Sequence, residues 1–222
     1  AYSLENMRLV GELSRTRDAV IRGMALLAEI RDPNIGGHLN RICAYAGHLA
    51  QMLAGRTGYH EVSRDFIDGI SRSAALHDVG KVGIPDAILL KPGKLTAEEY
   101  EVMKTHTTTG AELLRGLMDD FGEYPLIAMG AEVALAHHEW WDGSGYPRGI
   151  AGREIPLSAR IVSIADVYDA LTSRRIYKEA WSRDATVLAL REKAGRQHDP
   201  ELVDIFLSQP RALVEIGERY PD

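Results

Sequence analysis

A chain of 222 residues is long enough to bury the core of one domain with a helical extension, and too short for two comfortable domains. Hydrophobic residues at 45% and charged residues at 26% exclude disordered, collagen-like and low-complexity classes, and a net charge of −6 argues against a broad footprint on a nucleic-acid polymer. A single cysteine, Cys43, excludes an intrachain disulfide and fits a reducing compartment. No apolar run reaches the roughly 18 residues of a membrane span, and the opening AYSLENMRLVGEL lacks a basic-then-apolar leader, so the expected location is cytoplasmic. An anionic substrate would then need local help from metals or a few placed cations.

Taken in chain order, the pattern reads as helix after helix with no period-two run, which predicts an all-α fold. Apolar positions at Leu4, Met7, Val20, Met24 and Leu27 predict a long N-terminal helix over residues 4–30 that stops before Asp32-Pro33. Because the chain opens on Ala1 rather than methionine, this helix is expected to lead from an upstream regulatory domain. Residues 1–31 are assigned to it as a linker or signalling helix, and 32–222 to a catalytic domain. A parallel homodimer through this helix is a further expectation, although Gly11 and Ser14 interrupt the stripe.

A second helix is expected over 37–54, with Leu39, Ile42, Ala46, Leu49 and Leu53 on one face and His38 in its first turn. A third is expected over 62–79, running into His77-Asp78 and ending at Gly80. Thr96 and Glu99 form a capping box that opens the helix leading to His106. Another helix ends in His137-His138. Residues 139–157, with four glycines and two prolines, are too broken for regular structure and too long for a mere connector, so they are read as a functional loop. The helical pattern resumes over 157–171, placing Asp166 and Asp169 three apart on one face.

Imidazole and carboxylate are the ligands that divalent transition metals prefer, and His38, His77, Asp78, His106, His137, His138 and Asp166 are the candidates. A lone histidine near a helix end is more often a cap or a hydrogen-bonded core residue, and His48, His60 and His198 are read that way. The adjacent pairs are different. Neighbours on a helix point about 100° apart, but at a helix end both side chains of His77-Asp78 or of His137-His138 can turn to one cluster. Several polar groups beside apolar stretches such as Ala74-Ala75-Leu76 need partners, and a pair of metal ions supplies them.

The run from His77 to Asp86, followed by Ile88-Leu89 and Lys91-Pro92-Gly93, closely resembles the HD segment of HD-GYP proteins. The loop His137-His138-Glu139, Asp142-Gly143-Ser144-Gly145-Tyr146-Pro147, Gly149, Gly152 and Ile155-Pro156 resembles the segment that names that family. Residues 164–171 and 175–178 resemble its closing motif, and the likeness spans about residues 32–183. An isolated HD dipeptide is common by chance; this ordered set of long motifs is specific.

The resemblance implies an HD-domain helical core with an irregular Gly/Pro-rich GYP loop and two divalent metal ions, iron or manganese first among the candidates. It assigns His38, His77, Asp78 and Asp166 to one ion and Asp78, His106, His137 and His138 to the other, with Asp78 shared. Some members hold a third metal with a glutamate four residues before the first histidine; here that position is Asn34, so two metals are expected. The implied reaction is hydrolysis of cyclic di-GMP to pGpG, and in some members on to GMP, by a hydroxide shared between the metals. His77, Asp78 and Lys81 would form the catalytic set, and Lys81, Tyr146, Asp169, Arg175 and Lys178 would contact the substrate. Two alternatives stay open: a phosphodiesterase for 3',3'-cyclic GMP-AMP, and a non-catalytic module that binds a cyclic dinucleotide and signals. Trp140 and Trp141 are expected to close over the core more readily than to stack on a base.

Overall fold

The computed structural model describes residues 2–29, 37–122, 124–173 and 180–221, and among them there is no β-strand. The all-α expectation holds. The N-terminal helix α1 spans Tyr2–Glu29, and α2 spans His38–Leu53. The five residues named for the apolar face of α2 are all buried, and each large side chain removed from water contributes about 1.5–3 kcal/mol.

The third helix is shorter than its sequence pattern predicts. Ser63 caps α3, Arg64–Ser73, and the chain then tightens into 3-10 turns over Ala74–Leu76 and Val79–Gly83. This tightening rotates His77 and Asp78 out of the diverging directions of a regular helix. Gly80 is needed for a close approach rather than as a terminator: a Cβ there would run into the His106 carbonyl oxygen and the Gly110 backbone. After α4, Asp86–Leu89, comes the predicted capping box. Thr96 Oγ1 accepts from the Glu99 amide, and the Glu99 carboxylate accepts from the Thr96 amide, opening α5, Ala97–Lys104.

Helix α6 begins at His106 itself and runs to Phe121, where Gly122 at φ 92° turns the chain toward α7, Pro125–Ala136. His137 stands immediately after the last turn of α7. Helix α8, Leu157–Thr172, is buried on nearly every side and forms the central post of the fold. Against it lie α9, Arg183–Lys193, and α10, Pro200–Leu207, while α11, Pro210–Arg219, packs on α2.

One core cluster gathers side chains of α2, α3, α8 and α10, including Ile42, Leu49, Ile70, Ile161 and Phe206. A second gathers Ile21, Ala25 and Ala28 of α1 with Leu76, Val79, Leu114 and Ala134. The C-terminal part of α1 therefore packs into the body of the protein. The expected stop at Asp32-Pro33 and the residue Asn34 lie outside the described residues.

The Gly/Pro-rich loop is tied down. Trp141 and Asp142 donate backbone amides to the carbonyls of Gln197 and Arg196, Tyr146 donates to His138, and Arg148 donates to the Glu139 carboxylate. The exposed Arg196 lies over the ring of Trp140 and the buried Arg160 over that of Trp141, and both tryptophans are partly buried.

Candidate metal centre

Three histidine rings are steered by carbonyls three or four residues before them, and a fourth by a carboxylate of another helix. His77 Nδ1 lies 3.0 Å from the Ala74 carbonyl, His106 Nδ1 is 2.8 Å from that of Met103, and His137 Nδ1 is 3.0 Å from that of Val133. His38 Nδ1 is held by the Asp169 carboxylate at 2.7 Å. A ring whose Nδ1–H is used in this way presents Nε2 as a lone pair, the arrangement by which proteins orient histidine toward a metal.

The Nε2 atoms of His77, His106 and His137 are buried and have no hydrogen-bond partner among the described residues. These residues are 0%, 2% and 2% exposed, so three orphaned polar atoms carry a desolvation cost that a bound cation would offset. The donor set, imidazole with carboxylate, fits a divalent transition metal.

Asp78 lies between the rings. Its Oδ1 faces His106 Nε2 at 3.3 Å and His137 Nε2 at 3.8 Å, while its Oδ2 faces His77 Nε2 at 3.2 Å and Lys81 Nζ at 2.7 Å. One oxygen thus serves each side, the disposition a shared carboxylate requires. Ligand atoms of Asp78, His106, His137 and His138 all lie within 4.8 Å of one another, and those of Glu29, His38 and His77 form a second such group. The first group has the membership expected for one of the two ions. The second contains His38 and His77 but neither Asp78 nor Asp166, which were expected with them, and it includes Glu29, a residue assigned to the linker.

Charge and burial act together here. Burial works against charging His77, but Asp78, Asp166 and Glu29 outweigh it and bring the imidazole up to about 9, so its Nε2 would give up a proton in binding a cation. His138 goes the other way, held down to about 4 by burial and by His106. Burial lowers His106 and lowers His137 strongly, keeping both neutral. Burial opposes ionisation of Asp78, yet Lys81 and His77 hold its carboxyl well below the usual range.

The remaining candidates divide. Asp166 falls in neither ligand group, although its charge reaches His77 and His138. Tyr146 lines the centre, its ring 4.8 Å from that of His138. Arg175 and Lys178 lie outside the described residues. Asp169 needs a correction as a substrate contact: it is 1% exposed, and its oxygens are taken by His38 and, at 2.5 and 3.3 Å, by Arg41. Its work is to orient His38. His198 is buried, 3.3 Å from Ser163 Oγ, which agrees with its reading as a core histidine.

The sequence motifs single out neither Glu29 nor Arg41, nor the pairing of Asp169 with His38. A signal for Glu29 was present, because Ile21, Ala25 and Glu29 follow one another at four-residue spacing on a single stripe of α1. Arg41 sits among apolar residues of α2 with nothing local to mark its distant partner.

Known proteins are similar to this chain throughout. A family model described as HD domain matches residues 22–202, beginning where α1 enters the core. A cyclic di-GMP phosphodiesterase of Vibrio cholerae serotype O1 is 44% identical over 212 residues, covering 95% of this chain and 43% of that protein. A 3'3'-cGAMP-specific phosphodiesterase of the same organism is 36% identical over 220 residues, 99% of this chain and 40% of that protein. The crystal structure of a cyclic GMP-AMP specific phosphodiesterase from V. cholerae has the same fold, with a TM-score of 0.63 at 19% identity over 92% of this chain and 54% of the other. The chain spans less than half the length of either curated relative.

Proposed function

From a chain that belongs to the HD-domain family and carries this centre, we infer a metal-dependent phosphodiesterase that hydrolyses cyclic di-GMP to pGpG, with GMP as a further product to be tested. The observation that carries the reading is the set of buried Nε2 atoms of His77, His106 and His137, aimed at Asp78 with nothing else to bond. Two divalent ions, iron or manganese, would lower the pKa of a water between them and offset charge on the phosphodiester under in-line attack.

The chain's own residues do the rest. Asp78 belongs to the group with His106, His137 and His138 and reaches toward the other through its Oδ2, 3.2 Å from His77 Nε2, while His138, kept neutral by burial and by His106, offers a lone pair rather than a charge. Asp166, half-buried on α8, is proposed as a further ligand on the His38 and His77 side. Lys81, 2.7 Å from Asp78, is a point cation within reach of a phosphate oxygen beside that carboxylate. Tyr146 forms a wall against His138, with Lys104 facing its ring from 5.6 Å. Arg175 and Lys178 are proposed to complete the dinucleotide contacts, Arg175 through its planar donor fork.

Cyclic di-GMP is favoured over 3',3'-cyclic GMP-AMP because the relative named for the former shares more of this sequence, 44% against 36%. Both dinucleotides would be offered to Mn-loaded protein and the products separated by chromatography. A kcat/KM at least tenfold higher for cyclic di-GMP supports the reading, and the reverse ratio assigns the chain to cyclic GMP-AMP. Binding without turnover of either would make it a signalling module.

None of the described helices is long and apolar enough to cross a membrane. The proposed setting is cytoplasmic, with α1 leading from an upstream regulatory domain. Leu13, Val20 and Leu27 are exposed at seven-residue spacing on α1, which supports pairing with a second copy.

A further inference from the structure

We propose that Glu29, the last residue of α1, is itself a ligand of the ion held by His38 and His77, so that the N-terminal helix supplies part of the metal centre. The proposal rests on the metal-dependent reading above and adds a residue to it. Glu29 is 4% exposed, and its Oε2 is buried without a hydrogen-bond partner among the described residues. Its Oε1 lies 3.6 Å from His38 Nε2, and His77 Nε2, likewise orphaned, completes a triad whose ligand atoms lie within 4.8 Å of one another. Two buried groups of one triad that each carry an unpaired atom, one a carboxylate and one an imidazole, are costly together and are satisfied together by a cation.

The geometry of α1 explains how a linker residue comes to be there. Ile21, Ala25 and Ala28 are buried against Leu76 and Val79. Glu29 follows Ala25 by one helical turn, so the stripe that docks α1 delivers the carboxylate to the segment carrying His77 and Asp78. The next turns toward the N-terminus expose Leu13 and Val20. A displacement of α1 along that packed stripe would withdraw Glu29 from the centre, giving the N-terminal helix a direct hold on metal affinity.

The test uses the full chain, stripped of metal and titrated with Mn(II), with bound metal measured by elemental analysis and free Mn(II) by electron paramagnetic resonance. Wild type is compared with Glu29→Gln, which keeps size and helix propensity, with Glu29→Asp, and with Glu12→Gln on the exposed part of α1. Circular dichroism checks the fold of each. The expected result is two Mn(II) per wild-type chain, with one of the two steps weakened at least about tenfold in Glu29→Gln, partly restored in Glu29→Asp, and unchanged in Glu12→Gln. Two superimposable isotherms for wild type and folded Glu29→Gln would overturn the proposal and leave the metal-dependent reading standing. A wild type that takes up no Mn(II) would overturn both.

Discussion

Asp169 Oδ2 lies 2.7 Å from His38 Nδ1, and the same carboxylate receives the Arg41 guanidinium at 2.5 Å, so a residue of α8 fixes a histidine of α2 from beneath the metal centre. Burial resists ionisation of Asp169, but His38 and Arg41 hold its carboxyl below the ordinary value. Arg41 also donates to the Tyr220 carbonyl at 2.7 Å, tying the end of the chain to the same node. Asp169→Asn should weaken Mn(II) binding about 10- to 100-fold, the usual cost of losing a residue that orients a ligand. Asp169→Ala should in addition cost about 3–5 kcal/mol in chemical unfolding, because Arg41 would remain buried without its counter-charge. Unchanged metal affinity in both variants would mean that His38 is oriented by something else.

Gly80 tests the close approach between the 79–83 turn and α6. A methyl group there meets backbone atoms of His106 and Gly110, which move only if α6 moves. Gly80→Ala is expected to lower stability by about 1–3 kcal/mol, the usual cost of core overpacking, and to disturb His106 with it. Gly116→Ala, within α6, where a Cβ meets nothing within 4 Å, is the control and should be neutral or slightly stabilising. Equal melting temperatures for the two variants would contradict this packing.

Lys81 separates chemistry from metal holding. It pairs with Asp78 at 2.7 Å, but its ammonium is no metal ligand. Lys81→Met should therefore keep two metals while kcat falls by about 100-fold, the range seen when one group stabilising transition-state charge is removed. Loss of a metal ion with the lysine would assign it to the integrity of the centre instead.

Much of this was legible in the sequence. The apolar spacing of α2, the Thr96 capping box and the helix end at His137 appear as expected, because each depends on neighbours within a turn or two. His77 and Asp78 were recognised from their motif, yet the helix expected to carry them ends at Ser73. Contact between Gly80 and α6 shapes that segment, and such contact leaves no local periodicity to read. Glu29 and Arg41 were missed for a related reason. Their partners lie 9 positions away in the sequence in one case and 128 in the other, and the fold brings them together.

His198 gives the protein an acid limit independent of the metal. Burial and Lys193 hold its imidazole down at about 3 in the folded state, against an ordinary value of 6.5 in the unfolded chain. Between those values the unfolded state binds the extra proton. The stability from keeping this ring neutral is therefore complete above pH 6.5 and falls as pH drops toward 3, by up to about 1.4 kcal/mol per pH unit. Urea unfolding of metal-free protein at several values between pH 7 and pH 5 should show this slope, and His198→Asn should make it shallower by about one proton. Equal slopes would remove His198 from the account.

The most direct test of the central claim is turnover of cyclic di-GMP by protein loaded anaerobically with Fe(II) or Mn(II), beside Asp78→Ala handled identically, with metal content measured on the same samples. The shared carboxylate predicts metal-dependent release of pGpG by wild type, and in the variant a loss of bound metal together with a fall in rate to background. A variant that keeps both ions and full activity would contradict the assignment of Asp78 as the residue around which the centre is built.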